Sequence, residues 1–232
     1  MLNNFFDKIL FFIGVIHFSF LLKIKKLVSR EDEFFILRKF IKKNQNVIDV
    51  GANIGRYSFE LSNIVGKKGL VYVFEPMQKS YLTLLTLITL NDVKNIIPFN
   101  LALSDKSNFV RMKEFSALDK KSYIFSTQTE SRIVSNKKDS TIKYSIKLDD
   151  LKIKKKISFI KIDCEGFEME VLKGGKNMIK VNKPVLLVEN LNNKIPKFLK
   201  SLHYSEVVSH KKSRNKMFIH KESNIKKNFK FV

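Results

Sequence analysis

The sequence predicts a doubly wound α/β domain, in which a mostly parallel sheet carries helices on both faces. Two observations support this prediction. Apolar strand-like segments alternate with helix-like segments, as right-handed parallel crossovers require. In addition, the segment Val47–Val50 runs into a loop that contains Gly51 and Gly55 and then into a helix, which is typical of a ligand-binding turn. The 232 residues suffice for one such domain with a full core.

The elements follow from apolar periodicity and from turn residues. Ser29 is a suitable cap for a first helix that ends near Asn44, because Phe34, Leu37, Phe40 and Ile41 fall on one helical face. Apolar runs predict strands over Val47–Val50, Leu70–Phe74, Ile96–Leu103, Ile157–Ile162 and Val185–Val188, with closing strands near Val207 and Phe218. Helices are predicted over Tyr57–Val65, Lys79–Leu90, Met169–Ile179 and around Lys197–Leu202, and Gly174-Gly175 is expected to loosen the third of them.

Two of these segments have further distinguishing features. Lys79–Leu90 is apolar nearly all round, which predicts a helix buried against its neighbours. Lys106–Tyr144 is polar and interrupts the alternation of strands and helices, so we expect a hairpin or a cap over the ligand site. The alternating Ile142, Tyr144 and Ile146 predict an edge strand at the end of this stretch.

The amino-terminal segment is an apolar run, Ile9–Leu22, followed by Lys23, Lys25 and Lys26. The run is about four to six residues shorter than a membrane span, and no small-residue cleavage site follows it. Two interpretations remain open, a helix packed on the domain and a helix on a membrane surface whose lysines contact lipid headgroups. We therefore divide the chain into a helical segment, residues 1–28, and an α/β domain, residues 29–232.

The formal charge of +22 has three possible explanations: a solvated lysine-rich surface, attraction to anionic lipid, and nucleic-acid binding. Nucleic acid is the least favoured, because the lysines are scattered over every segment instead of forming one cluster. The single cysteine, Cys164, excludes an intrachain disulfide and a cysteine-rich metal site. A cytoplasmic location, with or without contact to the inner face of the membrane, agrees with these features.

The loop from Asp49 to Gly55 predicts binding of S-adenosylmethionine. Its pattern is D-x-G-x-x-x-G, which lacks the central glycine that dinucleotide-binding loops need beside a pyrophosphate. The helix beginning near Arg56 would direct free amides at a ligand carboxylate, and Glu75 at the end of the next strand would accept hydrogen bonds from ribose hydroxyls. The alternative is that the two glycines, Gly51 and Gly55, are only turn residues and that Glu75 is a solvated strand end.

The candidate catalytic residues, Asp163 and Glu165, follow the fourth core strand. In a doubly wound sheet this strand lies beside the first, so both carboxylates would face Asp49 and Gly51 across one crevice. A hydroxyl acceptor would need such a carboxylate as general base. Two alternatives remain, a Mg²⁺ site formed with Glu189, which we favour less, and a structural role at helix amides.

Several motifs resemble those of the FkbM family of S-adenosylmethionine-dependent methyltransferases, over roughly Glu31 to Asn190. They are Val47–Gly55 with Tyr57-Ser58, Phe74-Glu75-Pro76, Asn91, Ala102-Leu103-Ser104-Asp105, Leu148-Asp149-Asp150-Leu151, Phe159–Glu168 and Pro184–Glu189. The resemblance implies a Rossmann-like methyltransferase fold with a seven-stranded sheet, and O-methylation of a small molecule or a glycan.

The resemblance also assigns roles to individual residues. Gly51, Ala52, Asn53 and Gly55 would line the methyl donor, and Asp49 in the same motif would also belong to the donor site. Glu75 would hold the ribose, and Ser104 and Asp105 would lie near the adenine. Asp163 and Glu165 would face the acceptor. Cys164 between them is expected to be a small buried residue rather than a nucleophile, because no activating group is apparent.

Two other functions are compatible with the same fold. A nucleic-acid methyltransferase would suit the positive charge, but the fourth strand is followed by Asp163-Cys164-Glu165-Gly166 instead of an Asp/Asn-Pro-Pro-aromatic run, and there is no Pro-Cys pair. A non-catalytic scaffold at a membrane is the second. It would tolerate loss of the donor motif, yet Asp49, Gly51, Gly55 and Glu75 are all present.

Overall fold

A computed structural model of the chain describes residues 5–23, 33–116, 129–133, 140–189, 194–209 and 214–223. The first half of the described chain contains α1 (Phe5–Lys23), α2 (Glu33–Phe40), β1 (Asn46–Val50), α3 (Arg56–Val65), β2 (Leu70–Phe74), α4 (Gln78–Leu90), β3 (Ile96–Phe99), β4 (Ala102–Leu103) and β5 (Asn108–Ser116). The second half contains β6 (Thr129–Ile133), β7 (Thr141–Ile146), a 3₁₀ helix (Leu148–Asp150), β8 (Ile157–Ile162), α5 (Glu168–Gly174), α6 (Lys176–Asn182), β9 (Val185–Glu189), α7 (Lys194–Ser201), β10 (Tyr204–Ser209) and β11 (Asn215–His220).

The main sheet has seven strands in the order β10-β11-β9-β8-β1-β2-β3. β11 runs in the opposite direction to the other six strands, so the predicted mostly parallel sheet is confirmed. Successive side chains of each strand point to opposite faces, and both faces are covered by helices. Val47 belongs to a core with α1 to α4, whereas Ile48 belongs to a core with α5 to α7. The strand order reverses between β1 and β8, where such folds bind ligands.

A second sheet, in the order β4-β7-β5-β6, corrects two predictions in the middle of the chain. The predicted strand Ile96–Leu103 is two strands, because Asn100 donates to the carbonyls of Glu75 at 2.8 Å and Pro76 at 3.1 Å and ends the pairing with β2. β4 then pairs with β7, so β7 is an internal strand and not the predicted edge strand. Alternating hydrophobicity reports which side of a strand is buried but does not report its pairing partners. Residues 117–128 and 134–139 of the predicted cap lie outside the described residues.

One helix prediction needs correction. The helix predicted to be buried against its neighbours, α4, buries Leu84 and Leu87 but leaves Leu82 and Leu90 about half exposed, at 52% and 46%. The predicted loosening of the helix Met169–Ile179 at Gly174-Gly175 is confirmed, because the helix divides into α5 and α6 at Gly175. A Cβ atom at Gly175 would lie 2.8 Å from the Leu148 side chain, so this glycine lets the 3₁₀ helix approach the junction.

The amino-terminal helix α1 packs on α4 through one of its faces. Val15 and Phe18 are buried in the core that α2 and α3 share, and the Asn91 amide donates a hydrogen bond of 3.1 Å to Ser19 Oγ. Within the part of the chain that the structure describes, no helix is long and apolar enough to cross a membrane. Ser29, Lys25 and Lys26 lie outside the described residues, and the division at residue 28 stays a prediction.

Gly174, in α5, provides a test of how tightly the helix packs against the segment after β4. A Cβ atom there would lie 2.0 Å from the Ser104 carbonyl oxygen. We expect Gly174→Ala to destabilise the protein by about 1 to 3 kcal/mol through overpacking, although alanine is the better helix former. Urea denaturation would measure this loss. Lys173→Ala on the exposed side is the control and should change stability by less than about 0.5 kcal/mol; a more stable Gly174→Ala protein would contradict the packing argument.

Candidate active site

A cavity of about 240 Å³ opens at the carboxyl ends of β1, β2 and β8. Its walls are the loop after β1, the end of β2, the segment around β4 and the loop after β8. The lining residues are Val50, Gly51, Ala52, Asn53, Ile54, Arg56, Tyr57, Phe74, Glu75, Pro76, Ser80, Leu101, Ala102, Leu103, Met112, Lys161, Asp163, Cys164, Glu165 and Phe167. The structure therefore brings together six residues that the sequence analysis selected, namely Gly51, Ala52, Asn53, Glu75, Asp163 and Glu165.

The loop after β1 is shaped by a close approach to β8. Gly51 has a φ of +73°, and a Cβ atom on it would lie 1.8 Å from the Asp163 carbonyl oxygen. Any other residue would therefore be strained in its backbone and would push the two strand ends apart. The amides of Gly51 and Ala52 donate to the Phe74 carbonyl at 3.0 and 3.2 Å, which ties the same loop to β2.

The other four predicted donor residues do not line the cavity. Asp49 is fully buried beneath the loop, where Ser58 donates to it at 2.6 Å. Gly55 has a φ of +96°, and a Cβ atom on it would lie 2.5 Å from Leu84, so it permits the start of α3 to approach Leu84 of α4. Ser104 and Asp105 follow β4 directly, and the Ser104 amide donates to the Ile146 carbonyl at 3.0 Å. Their assignment to the adenine stays a prediction.

Glu75 is held rigidly at the end of β2 with its carboxylate at the cavity. The side chain is 4% exposed, and its two oxygens accept hydrogen bonds of 2.8 Å from the backbone amides of Asn53 and Met77. Burial raises the pKa of Glu75 to about 7, although the two amides and Lys161 oppose the rise. Glu75 therefore changes its charge near neutral pH.

Lys161 is a site residue that the sequence analysis missed. Its ammonium lies 3.3 Å from Asp163 Oδ2 and 3.6 Å from Asp49 Oδ1, and it donates to the Gly51 carbonyl at 3.1 Å. Burial alone would lower the pKa of Lys161, but the charges of Asp163 and Asp49 outweigh it and raise that pKa, so the ammonium stays charged. A lysine within the apolar strand Ile157–Ile162 was the available signal.

Glu168, at the start of α5, organises the loop after β8 and was also missed. Its Oε1 accepts hydrogen bonds from the amides of Cys164 at 2.9 Å and Gly166 at 3.0 Å. These bonds hold Glu165 in the left-handed region, at a φ of +52°. Burial, together with the charge of Glu168, raises the pKa of Cys164 well above its ordinary value, so its thiol stays protonated.

Glu189, at the end of β9, lies near the same loop but does not complete a metal site. Burial raises its pKa to about 7, and the charges of Asp163, Glu165 and Glu168 add to this rise. Arg214 Nη1 lies 3.8 Å from Glu189 Oε1. Among the described residues, no group of three or more His, Cys, Asp or Glu side chains is placed to hold a metal ion. The alternative Mg²⁺ site at Asp163, Glu165 and Glu189 is thus not formed.

Three features of this cavity, a carboxylate, a helix amino terminus and an apolar surface, suit the ribose, the carboxylate and the purine of S-adenosylmethionine. The buried Glu75 carboxylate can accept hydrogen bonds from vicinal hydroxyls, as a ribose requires. The amino terminus of α3, whose cap Gly55 has no side chain, adjoins the loop where a ligand carboxylate would bind. Leu101, Leu103 and Met112 form an apolar wall that suits a purine ring. The residues present therefore fit the predicted methyl donor.

Comparisons with known proteins show the family and the fold of the chain. The sequence profile of the FkbM methyltransferase domain matches residues 49–212. A crystal structure of the FkbM methyltransferase from Methylobacillus flagellatus superimposes with a TM-score of 0.54 and 18% identity, covering 79% of this chain and 48% of that protein. This chain therefore spans about half the length of that relative. No curated protein matches the chain significantly.

Two further structures match with lower scores. A SAM-dependent methyltransferase from Aquifex aeolicus gives a TM-score of 0.46 at 16% identity, covering 85% of this chain and 95% of the other. The fibrillarin of Aeropyrum pernix, whose structure contains natively bound S-adenosyl-L-methionine, gives 0.45 at 13% identity, covering 81% and 72%.

The profile match extends over well more than half of the chain and includes all four walls of the cavity. The sheet order and the structural match to an FkbM methyltransferase agree with it. The chain has the fold of S-adenosylmethionine-dependent methyltransferases and belongs to the FkbM methyltransferase family.

Proposed function

We propose that this chain transfers a methyl group from S-adenosylmethionine to a hydroxyl group of a small molecule or a glycan, such as a sugar of a cell-surface polysaccharide. The observation that carries the proposal is the arrangement of carboxylates around one cavity. Glu75 faces it from β2, and Asp163 and Glu165 face it from the loop after β8. One side thus suits a hydroxyl-bearing donor, and the other side offers a base to an acceptor.

The donor side would fix the ligand at both ends. Glu75 would accept hydrogen bonds from the ribose, and its own two amide bonds keep the carboxylate from rotating. The amino terminus of α3 would bind the ligand carboxylate. When bound, S-adenosylmethionine supplies a methyl group that its sulfonium already activates, so the protein's main tasks are in-line positioning and the exclusion of water.

The acceptor side needs a group that takes up a proton. The bond between the acceptor oxygen and the methyl carbon would form as the carbon–sulfur bond breaks, and the hydroxyl proton would pass to a carboxylate. Asp163 is our first candidate for this base, because its side chain is 30% exposed at the cavity and Lys161 fixes its orientation. Glu165 is the second candidate, and the bonds from Glu168 fix the loop that carries it.

Titration calorimetry tests the donor site. We expect S-adenosylmethionine and its demethylated product to bind with micromolar dissociation constants, about 7 to 8 kcal/mol. Glu75→Ala should weaken binding by about 1.5 to 3 kcal/mol because hydrogen bonds to a charged acceptor are lost, and Glu75→Gln should weaken it less. Glu189→Gln, outside the cavity lining, is the matched control and should bind like the wild type. Absence of binding by the folded wild-type protein would contradict the function itself.

The pKa of Glu75 predicts how donor affinity depends on pH. Ribose hydroxyls that donate to Glu75 favour its ionised form, so binding should be tightest above pH 7 and weaken as the pH falls through about 7. The limiting slope is about tenfold in dissociation constant per pH unit. Calorimetry at several pH values should show this slope in the wild type and in Glu189→Gln, but not in Glu75→Gln. An equal slope in Glu75→Gln would assign the titration to another group.

The proposed base is tested by turnover, with isotopically labelled methyl donor and a panel of sugar acceptors. Asp163→Asn keeps the shape of the side chain and removes the base, so the rate should fall about 100-fold to 10,000-fold while donor affinity is retained. Glu170→Gln, on the adjacent helix, is the control. A metal-dependent reaction would instead lose activity to a chelator and recover it with added Mg²⁺. Wild-type turnover by Asp163→Asn would leave Glu165 as the candidate base, to be tested by Glu165→Gln.

A further inference from the structure

α1 carries an apolar stripe on the side opposite to its packed face. The stripe consists of Ile9, Phe12, Ile13, Ile16 and Phe20, whose spacing places them within one face of the helix. Each of these residues is exposed, by 39% to 62%. Exposed apolar surface of this extent on a folded protein marks a site of interaction.

The exposure of the stripe does not result from a detached helix. Val15 and Phe18 on the other face are buried at 6% and 4%, and the hydrogen bond from Asn91 to Ser19 fixes the rotation of α1 on α4. The stripe is therefore held outwards by the fold. α4 itself adds two exposed leucines, Leu82 and Leu90, at the edge of a shallow groove.

We propose that this stripe inserts into the interfacial region of an anionic lipid membrane, with α1 lying parallel to the membrane plane. Basic residues follow the stripe in the sequence: Lys23 is the last residue of α1, and Lys25 and Lys26 come shortly after it. The chain as a whole carries a formal charge of +22. Apolar insertion and lysine attraction to anionic headgroups act together in peripheral helices.

The charge and the composition of the stripe argue against the other occupants. A second copy of the chain would bring a further +22 to the contact, and the two copies would repel each other. Nucleic acid would satisfy the charge, but it binds exposed aromatic rings by base stacking. Three of the five stripe residues are isoleucines, which cannot stack in this way. Lipid headgroups with acyl chains beneath them match both features.

Vesicle flotation with the full-length protein tests this proposal. Phosphatidylcholine vesicles with phosphatidylserine should carry the protein to the top of the gradient, whereas vesicles of phosphatidylcholine alone should carry much less, and high salt should weaken the binding. The double variant F12S/F20S should lower the partition coefficient by at least about tenfold, because two phenylalanine rings no longer leave water. Both side chains are exposed in the fold, so thermal unfolding of this variant should match the wild type.

Phe109→Ser is the matched control, because Phe109 is 74% exposed but lies on the small second sheet. It should float like the wild type. Equal flotation of F12S/F20S and the wild type would overturn the proposal, since attraction would then come from surface lysines alone. The proposal would also be overturned if the wild type fails to float, or if size-exclusion chromatography shows a dimer that F12S/F20S disrupts, because the occupant would then be a second copy.

Discussion

The ammonium of Lys161 sits between the carboxylates of Asp49 and Asp163, and the geometry of the whole site depends on this contact. Lys161 lies in β8 and contacts Asp49 near the end of β1, so this contact joins the two strands between which the strand order reverses. The same ammonium holds the carbonyl of Gly51, whose missing side chain lets the strand ends meet. Removing Lys161 would cost about 3 to 5 kcal/mol, because the fully buried Asp49 would be left without a compensating charge. One buried cation thus positions both the loop after β1, on the donor side, and the loop after β8, on the acceptor side.

The charge around the site is opposite in sign to that of the protein. Five of the 22 acidic residues of the chain lie here, namely Asp49, Glu75, Asp163, Glu165 and Glu168. Burial raises the pKa of Glu75 to about 7, and repulsion from Asp49 adds to this rise. A cationic sulfonium would lower this repulsion on binding, whereas an anionic ligand would increase it. The local charges therefore favour a positively charged methyl donor within a strongly basic protein.

The cavity and the apolar stripe are two distinct surfaces of the molecule. The cavity lies at the carboxyl ends of the strands, and β4 and Met112 of the small sheet close one of its walls. The apolar stripe lies on α1, at the outside of the helical layer formed by α1 to α4. Because α1 is fixed on α4, a membrane beneath the stripe would meet the domain in one orientation. An acceptor at that membrane would then approach a site whose position relative to the lipid is constant.

The sequence determined the core of the fold and four of the eight predicted donor residues, Gly51, Ala52, Asn53 and Glu75, which line the cavity. Buried strands such as Leu70–Phe74 and Ile157–Ile162 are apolar runs with clear turn residues at their ends, and a local pattern of this kind is readable without any partner. The same holds for Gly51 and Glu75, because a strand, a glycine loop and an acid at the next strand end occur in a fixed order. These features depend on residues that are close together in the chain.

Only the tertiary structure decided the features that depend on distant residues. Pairing of β4 with β7 brings residues 102–103 beside residues 145–146, and no local pattern reports this choice of partner. Lys161 is a site residue because the strand order places it between the carboxylates of Asp49 and Asp163. Glu168 is one because the fold places its side chain beside two amides of the loop after β8. The exposed half of α4 and the outward stripe of α1 have the same origin. Apolar periodicity shows that a helix can be buried, whereas the number of neighbours in space determines how much of it is buried.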